Sequence, residues 1–98
     1  MTAAVVTTKH RGVFFGYLSN GVPEELGEGD SLEVSDMRMC VYWPANMRGI
    51  LGLASKGPNS GCRITDKVDG ETKLFGVTAI IPVTTKAAVK KWEAAPWS

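Results

Sequence analysis

Val13-Phe14-Phe15-Gly16-Tyr17-Leu18, then Ser31-Leu32-Glu33-Val34, then Met37-Arg38-Met39-Cys40-Val41-Tyr42-Trp43 are the stretches that decide the fold. The first is aromatic and β-branched. Its alternation places Val13, Phe15 and Tyr17 on one face and Phe14, Gly16 and Leu18 on the other. Both faces are apolar, which predicts a strand in the middle of a barrel or under a covering element. Gly16 marks the bend where a small sheet curls. Ser31 to Val34 shows period-two alternation, Ser35-Asp36 reads as a turn, and the strand from Met37 alternates again. In it Met37, Met39, Val41 and Trp43 point one way, and Arg38, Cys40 and Tyr42 the other.

Working outward, Thr2 to Thr8 reads as a short strand, joined to the first aromatic strand by the polar connection Lys9-His10-Arg11-Gly12. Ser19 to Ser31 is a glycine-, proline- and acid-rich hairpin loop. Pro44 stops the strand that ends at Trp43. Asn46 is a suitable N-cap for a helix with Met47, Ile50, Leu51 and Ala54 on its apolar face, and Gly57-Pro58 is a fitting terminus. Cys62 to Thr65 is a short strand, and Asp69-Gly70 signals a hairpin. Lys73 to Val83 is the most apolar strand, with a bulge invited at Gly76 and an edge or end at Pro82. Thr84 or Thr85 caps a last helix that buries Ala88, Val89, Trp92 and Ala95 and turns Lys86, Lys90, Lys91 and Glu93 outward.

These elements predict one domain over 1–98. It is mainly β (α+β), a small bent barrel of five to six short strands with a short inserted helix and a C-terminal helix. The strand–hairpin–strand–turn–strand unit resembles the centre of an SH3-like or Sm-like barrel, a likeness of fold that carries no function. At 98 residues the chain has no room for a second domain. Oligomerisation is the expected way to enlarge so small a core. No apolar stretch reaches the ~18 residues needed to cross a bilayer, and the N-terminus lacks the features of a signal peptide. The protein is therefore expected to stay in the compartment where it is made, with Cys40 and Cys62 as buried thiols.

The net charge of +1 argues against a protein that grips duplexes by bulk charge. The charges are nevertheless sorted. Residues 23–36 hold Glu24, Glu25, Glu28, Asp30, Glu33 and Asp36 with no base, whereas 37–65 hold Arg38, Arg48, Lys56 and Arg63 with no acid. Two cysteines without CxxC spacing and one histidine make no zinc site. No nucleophile–base set or phosphate-loop motif is present, so binding without catalysis, cofactor or metal is expected. The segment Tyr42 to Gly49 joins an aromatic platform, a helix start and an arginine, and Lys56 to Arg63 adds a basic, glycine-rich loop. Arg38, Arg48, Lys56 and Arg63 would neutralise phosphate, Asn46 and Ser60 would hydrogen-bond, and Trp43 would stack. His10 and Arg11 complete the candidate binding set. Trp43 also shares its face with Met39 and Val41, which favours a core position for it.

The strings His10 to Leu18, Met37 to Trp43 and Gly49 to Pro58 resemble a family of small proteins of unknown function encoded by tailed bacteriophages. The shared pattern is HRGVF-G-L, a YW after a strand, and LA--GP. This chain departs from it in the longer, more acidic hairpin from Gly21 to Asp30. The resemblance brings no catalytic residues. It implies a phage accessory protein in the cytoplasm of a bacterial host. The function expected is anti-defence: sequestering a phosphorylated nucleotide signal, of cyclic-nucleotide or ADP-ribose type, as a homo-oligomer. Two alternatives stand beside it: an Sm-like module for single-stranded nucleic acid, and an inhibitor of a host protein acting through the acidic 23–36 loop.

Overall fold

A computed structural model of the chain describes residues 2–9, 12–19, 21–23, 30–43, 49–58 and 61–94. In chain order the elements are β1 (Thr2–Thr8), β2 (Val13–Leu18), β3 (Ser31–Tyr42), α1 (Gly49–Lys56), β4 (Arg63–Ile64), β5 (Glu71–Phe75), β6 (Val77–Pro82) and α2 (Lys86–Glu93). Every strand pairing is antiparallel. The pairings close into a ring: β1 with β2, β2 with β3, β3 with β5, and β6 back onto β1. β5 and β6 are one strand bent at Gly76, whose φ of +67° is open to glycine at little cost. The bend lets the first half pair with β3 and the second with β1, so the mainly β, small-barrel reading holds.

Two apolar clusters follow from the alternation of the strands. Ala4, Val6, Leu18, Leu32, Val34, Met37 and Leu74 form one, with Phe14, Val77 and Ile80 against them. This cluster fills the barrel. Val5, Val13 and Phe15 look the other way and are buried with Leu53, Ala54, Ala88 and Trp92 of the two helices. The two apolar faces of β2 thus have separate causes: one lines the barrel, the other lies beneath a helical cover. Trp92 anchors that cover. Its ring stacks on Phe15 with centroids 4.9 Å apart and planes within 5°, and its indole N–H donates to the Leu53 carbonyl at 3.1 Å.

The structure corrects the sequence reading in three places. Ser35-Asp36 does not interrupt the strand; β3 runs unbroken for 12 residues. Asp36 takes φ +50°, and opposite it the register passes from Phe15↔Arg38 to Tyr17↔Ser35. Three steps on β3 therefore face two on β2, a β-bulge at Asp36 rather than a turn. Beyond the bulge Arg38 and Cys40 are buried, while Met39 and Val41 are exposed. Trp43 packs against the helix-side cluster, so its core position stands, though not in the company expected. In α1, Leu53 and Ala54 are buried and Leu51 is 71% exposed, the reverse of the predicted role for Leu51.

Both helix ends are as the residue types suggest. The Gly57 N–H donates to the Leu53 carbonyl at 3.1 Å, closing α1. Thr85 occupies the N-cap of α2 in extended conformation, but its hydroxyl donates to the Ser55 carbonyl instead, tying the two helices together. Cys40 and Cys62 are buried and are not joined in a disulfide. Among the described residues no helix is long and apolar enough to cross a membrane.

Candidate functional site

The bulge in β3 does more than bend the sheet. An extra residue there turns Arg38 onto the same side as Phe15 and Tyr17, the side covered by α2. Phe15, Tyr17, Asp36, Arg38, Lys67 and Glu93 line a cavity of about 540 Å³, within the usual range for small-ligand sites. Four elements contribute: β2 the aromatic wall, the bulge Asp36 and Arg38, the connection after β4 Lys67, and the last turn of α2 Glu93.

Arg38 is the centre of the arrangement. It is 9% exposed, and its two guanidinium hydrogen bonds go to main-chain carbonyls, Thr65 at 3.3 Å and Glu93 at 3.4 Å. The second carbonyl lies at the C-terminus of α2, where the helix macrodipole favours a cation. The bulge is held from the opposite loop, since the Asp36 N–H donates to the Gly70 carbonyl at 3.0 Å. Among the described residues no side-chain partner holds the Asp36 carboxylate.

Tyr17 closes one side of the cavity. Its hydroxyl donates to Glu93 Oε1, and its ring meets Phe15 edge-on with centroids 5.6 Å apart. Burial first, then the hydrogen bond to Glu93 and the negative charges of Glu93 and Asp36, push the phenol up to about 12. The group is therefore a neutral donor at any physiological pH. The lining has two positive and two negative side chains and one phenol, set on an aromatic floor. It can hold a ligand of mixed polarity, with an anion toward Arg38 and Lys67 and hydrogen-bond donors toward Asp36 and Glu93.

Of the nominated residues that are described, only Arg38 lies at this cavity. Lys56 and Arg63 are exposed elsewhere, at the end of α1 and on β4. Trp43 sits half-buried against the helix-side core rather than over the cavity. His10, Arg11, Asn46, Arg48 and Ser60 lie outside the described residues, as do Glu24, Glu25 and Glu28 of the acidic loop. The acid-free run from 37 to 65 does not make an acid-free site, because Asp36 and Glu93 flank Arg38 from outside it. Tyr17, Asp36, Lys67 and Glu93 escaped the sequence reading. One signal was available: Glu93 is an acid in the last turn of a helix, where the macrodipole disfavours it.

Among the described residues no group of three or more histidine, cysteine or carboxylate side chains is placed to hold a metal. No curated protein and no solved structure matches the chain. A family model, described as a domain of unknown function, DUF6948, matches residues 1–92. The bulge and every residue lining the cavity except Glu93, which lies one position past its end, fall within that match, and the chain belongs to the DUF6948 family.

Proposed function

We propose that this protein binds a small phosphorylated nucleotide without transforming it, in the cavity built around Arg38. One observation carries the reading: an arginine residue only 9% exposed lines a cavity of nucleotide size while its guanidinium hydrogen bonds end on carbonyls. Carbonyl dipoles compensate a buried cation only in part, and a phosphate would complete the compensation through the planar fork of the arginine. Lys67 adds a second positive charge at the rim. The aromatic wall of Phe15 and Tyr17 offers apolar surface to a base.

The setting proposed with this activity is the cytoplasm of a bacterial host, where a phage-encoded homo-oligomer would sequester a nucleotide signal. It rests on the resemblance to small tailed-phage proteins. Sequestration needs affinity and abundance rather than turnover, which suits a cavity whose described lining pairs no nucleophile with a base.

Protein purified directly from cells, heated and spun, should release a phosphorylated small molecule detectable by mass spectrometry. Calorimetric titration with nucleoside monophosphates should give saturable binding that weakens about tenfold or more in Arg38→Gln, the usual worth of a charge-assisted hydrogen bond. Arg38→Lys keeps the charge without the fork and should fall between the two. Absence of both retained ligand and titratable binding overturns the proposal. So does unchanged affinity in a folded Arg38→Gln.

A further inference from the structure

We infer that the cavity selects, among nucleotides, those with a free ribose 2′,3′-diol, and that Asp36 is the residue that reads it. The inference rests on the nucleotide reading above and adds which nucleotides are taken.

The starting point is the half of the lining that a phosphate does not use. Arg38 and Lys67 suffice for the anion, but Asp36 and Glu93 stand in the same cavity. A carboxylate accepts hydrogen bonds and donates none. A ligand that shields these carboxylates from water without offering donors leaves buried charge unpaired, which costs more than the contact returns. The ligand must therefore bring donors at the end away from its phosphate.

The two carboxylates are not equivalent. Glu93 already accepts the Tyr17 hydroxyl, whereas the Asp36 carboxylate has no side-chain partner among the described residues. Asp36 is also the only non-glycine residue among them with positive φ, at +50°, and the Gly70 carbonyl holds its N–H. Aspartate is one of the few side chains that enter the left-handed region readily, so the bulge accommodates an acid at this position of the cavity lining.

Two vicinal hydroxyls match the two oxygens of one carboxylate, the general geometry by which acidic residues hold a ribose. Ribonucleotides with both hydroxyls free supply the pair. A 2′-deoxynucleotide keeps only the 3′-hydroxyl, and a 3′,5′-cyclic nucleotide, its 3′-oxygen esterified, keeps only the 2′-hydroxyl. Linear or ADP-ribose-like ribonucleotides are thus favoured over cyclic ones.

The test is calorimetric titration at fixed ionic strength. Its ligands are ribonucleoside 5′-monophosphates, their 2′-deoxy counterparts, a 3′,5′-cyclic monophosphate and inorganic phosphate, each against the unmodified protein and Asp36→Asn. Asparagine tolerates the left-handed region, so the bulge is kept. The expected result is a preference of about tenfold for the ribonucleotide over both analogues, collapsing to within about twofold in Asp36→Asn. Equal binding of ribo- and deoxynucleotides to the unmodified protein overturns the diol inference and leaves the nucleotide reading standing. A preference that persists in Asp36→Asn removes Asp36 from the role. Binding of inorganic phosphate alone, or of nothing, overturns both readings together.

Discussion

At Gly16 the barrel has no room for a methyl group. A Cβ there would lie 2.1 Å from Val34 Cγ1 and 3.0 Å from the Ser35 carbonyl oxygen, and Val34 is fully buried. Gly16→Ala should therefore destabilise the fold by about 3 kcal/mol, the upper range for overpacking a core. Urea denaturation measures it, and Val34→Ala in the same chain should recover part of the loss because the two side chains share one space. Additive effects of the two substitutions would show that the clash is absent. Gly16 was legible from sequence, since a glycine inside an aromatic strand signals either a bend or a close approach. Asp36, across the sheet from it, was not. Ser-Asp has the chemistry of a turn, and whether such a pair ends a strand or bulges it depends on what the neighbouring strand does. β2 continues past it, so β3 does too.

At the scale of elements, the helices are held by the sheet more than by their own propensities. Each spans 8 residues, too short to persist alone in water. α2 depends on Trp92, which is fully buried, stacked on Phe15 and bonded to Leu53 of α1. Trp92→Ala should cost roughly 3–5 kcal/mol by thermal or urea melting, in line with removal of a large buried aromatic. Trp92→Phe, which keeps a ring but strands the Leu53 carbonyl, should cost about 1–3 kcal/mol. Equal losses in the two variants would mean the stack contributes nothing. The existence of both helices, and their ends at Gly57 and Thr85, could be read from residue types. The buried face of α1 could not. Ile50-Leu51-Gly52-Leu53-Ala54 is apolar nearly all round, and only its packing against α2 and β1 selects Leu53 over Leu51.

At the scale of the whole molecule, the two clusters share β1 and β2, so loosening either face loosens the other. Protonation links them to pH. Cys40, 3% exposed, has its thiol pushed up from 9.0 to about 12, by burial first and then by the neighbouring Cys62. Tyr17 rises from 10.0 to about 12. Both groups are neutral when protonated, and the folded chain keeps protons that the unfolded chain releases. Stability is therefore full below pH 9 and falls above it. The slope approaches about 1.4 kcal/mol per pH unit for each proton retained, with a smaller share for the partly exposed Tyr17. Urea midpoints should be flat from pH 7 to 8.5 and decline from 9 to 12. Cys40→Ala should flatten the decline between 9 and 10 in particular, and an unchanged midpoint to pH 11 would contradict the account. The barrel at this scale was legible because every strand carries its own alternation. The cavity was not, because its charges come from positions 36, 38, 67 and 93. Only the bulge and the docking of α2 bring them together.

The stack of Trp92 on Phe15 has a consequence for observation as well as for stability. Trp92 is adjacent in sequence to Glu93, whose carbonyl and carboxylate touch Arg38 and Tyr17 at the cavity wall. An indole sealed from water emits at short wavelength, and rings held within 5° of parallel give a fixed chiral signal in the near ultraviolet. The chain thus contains an optical reporter one residue from its cavity. Occupancy that shifts the end of α2 registers as a change of colour and ellipticity, without any label being attached.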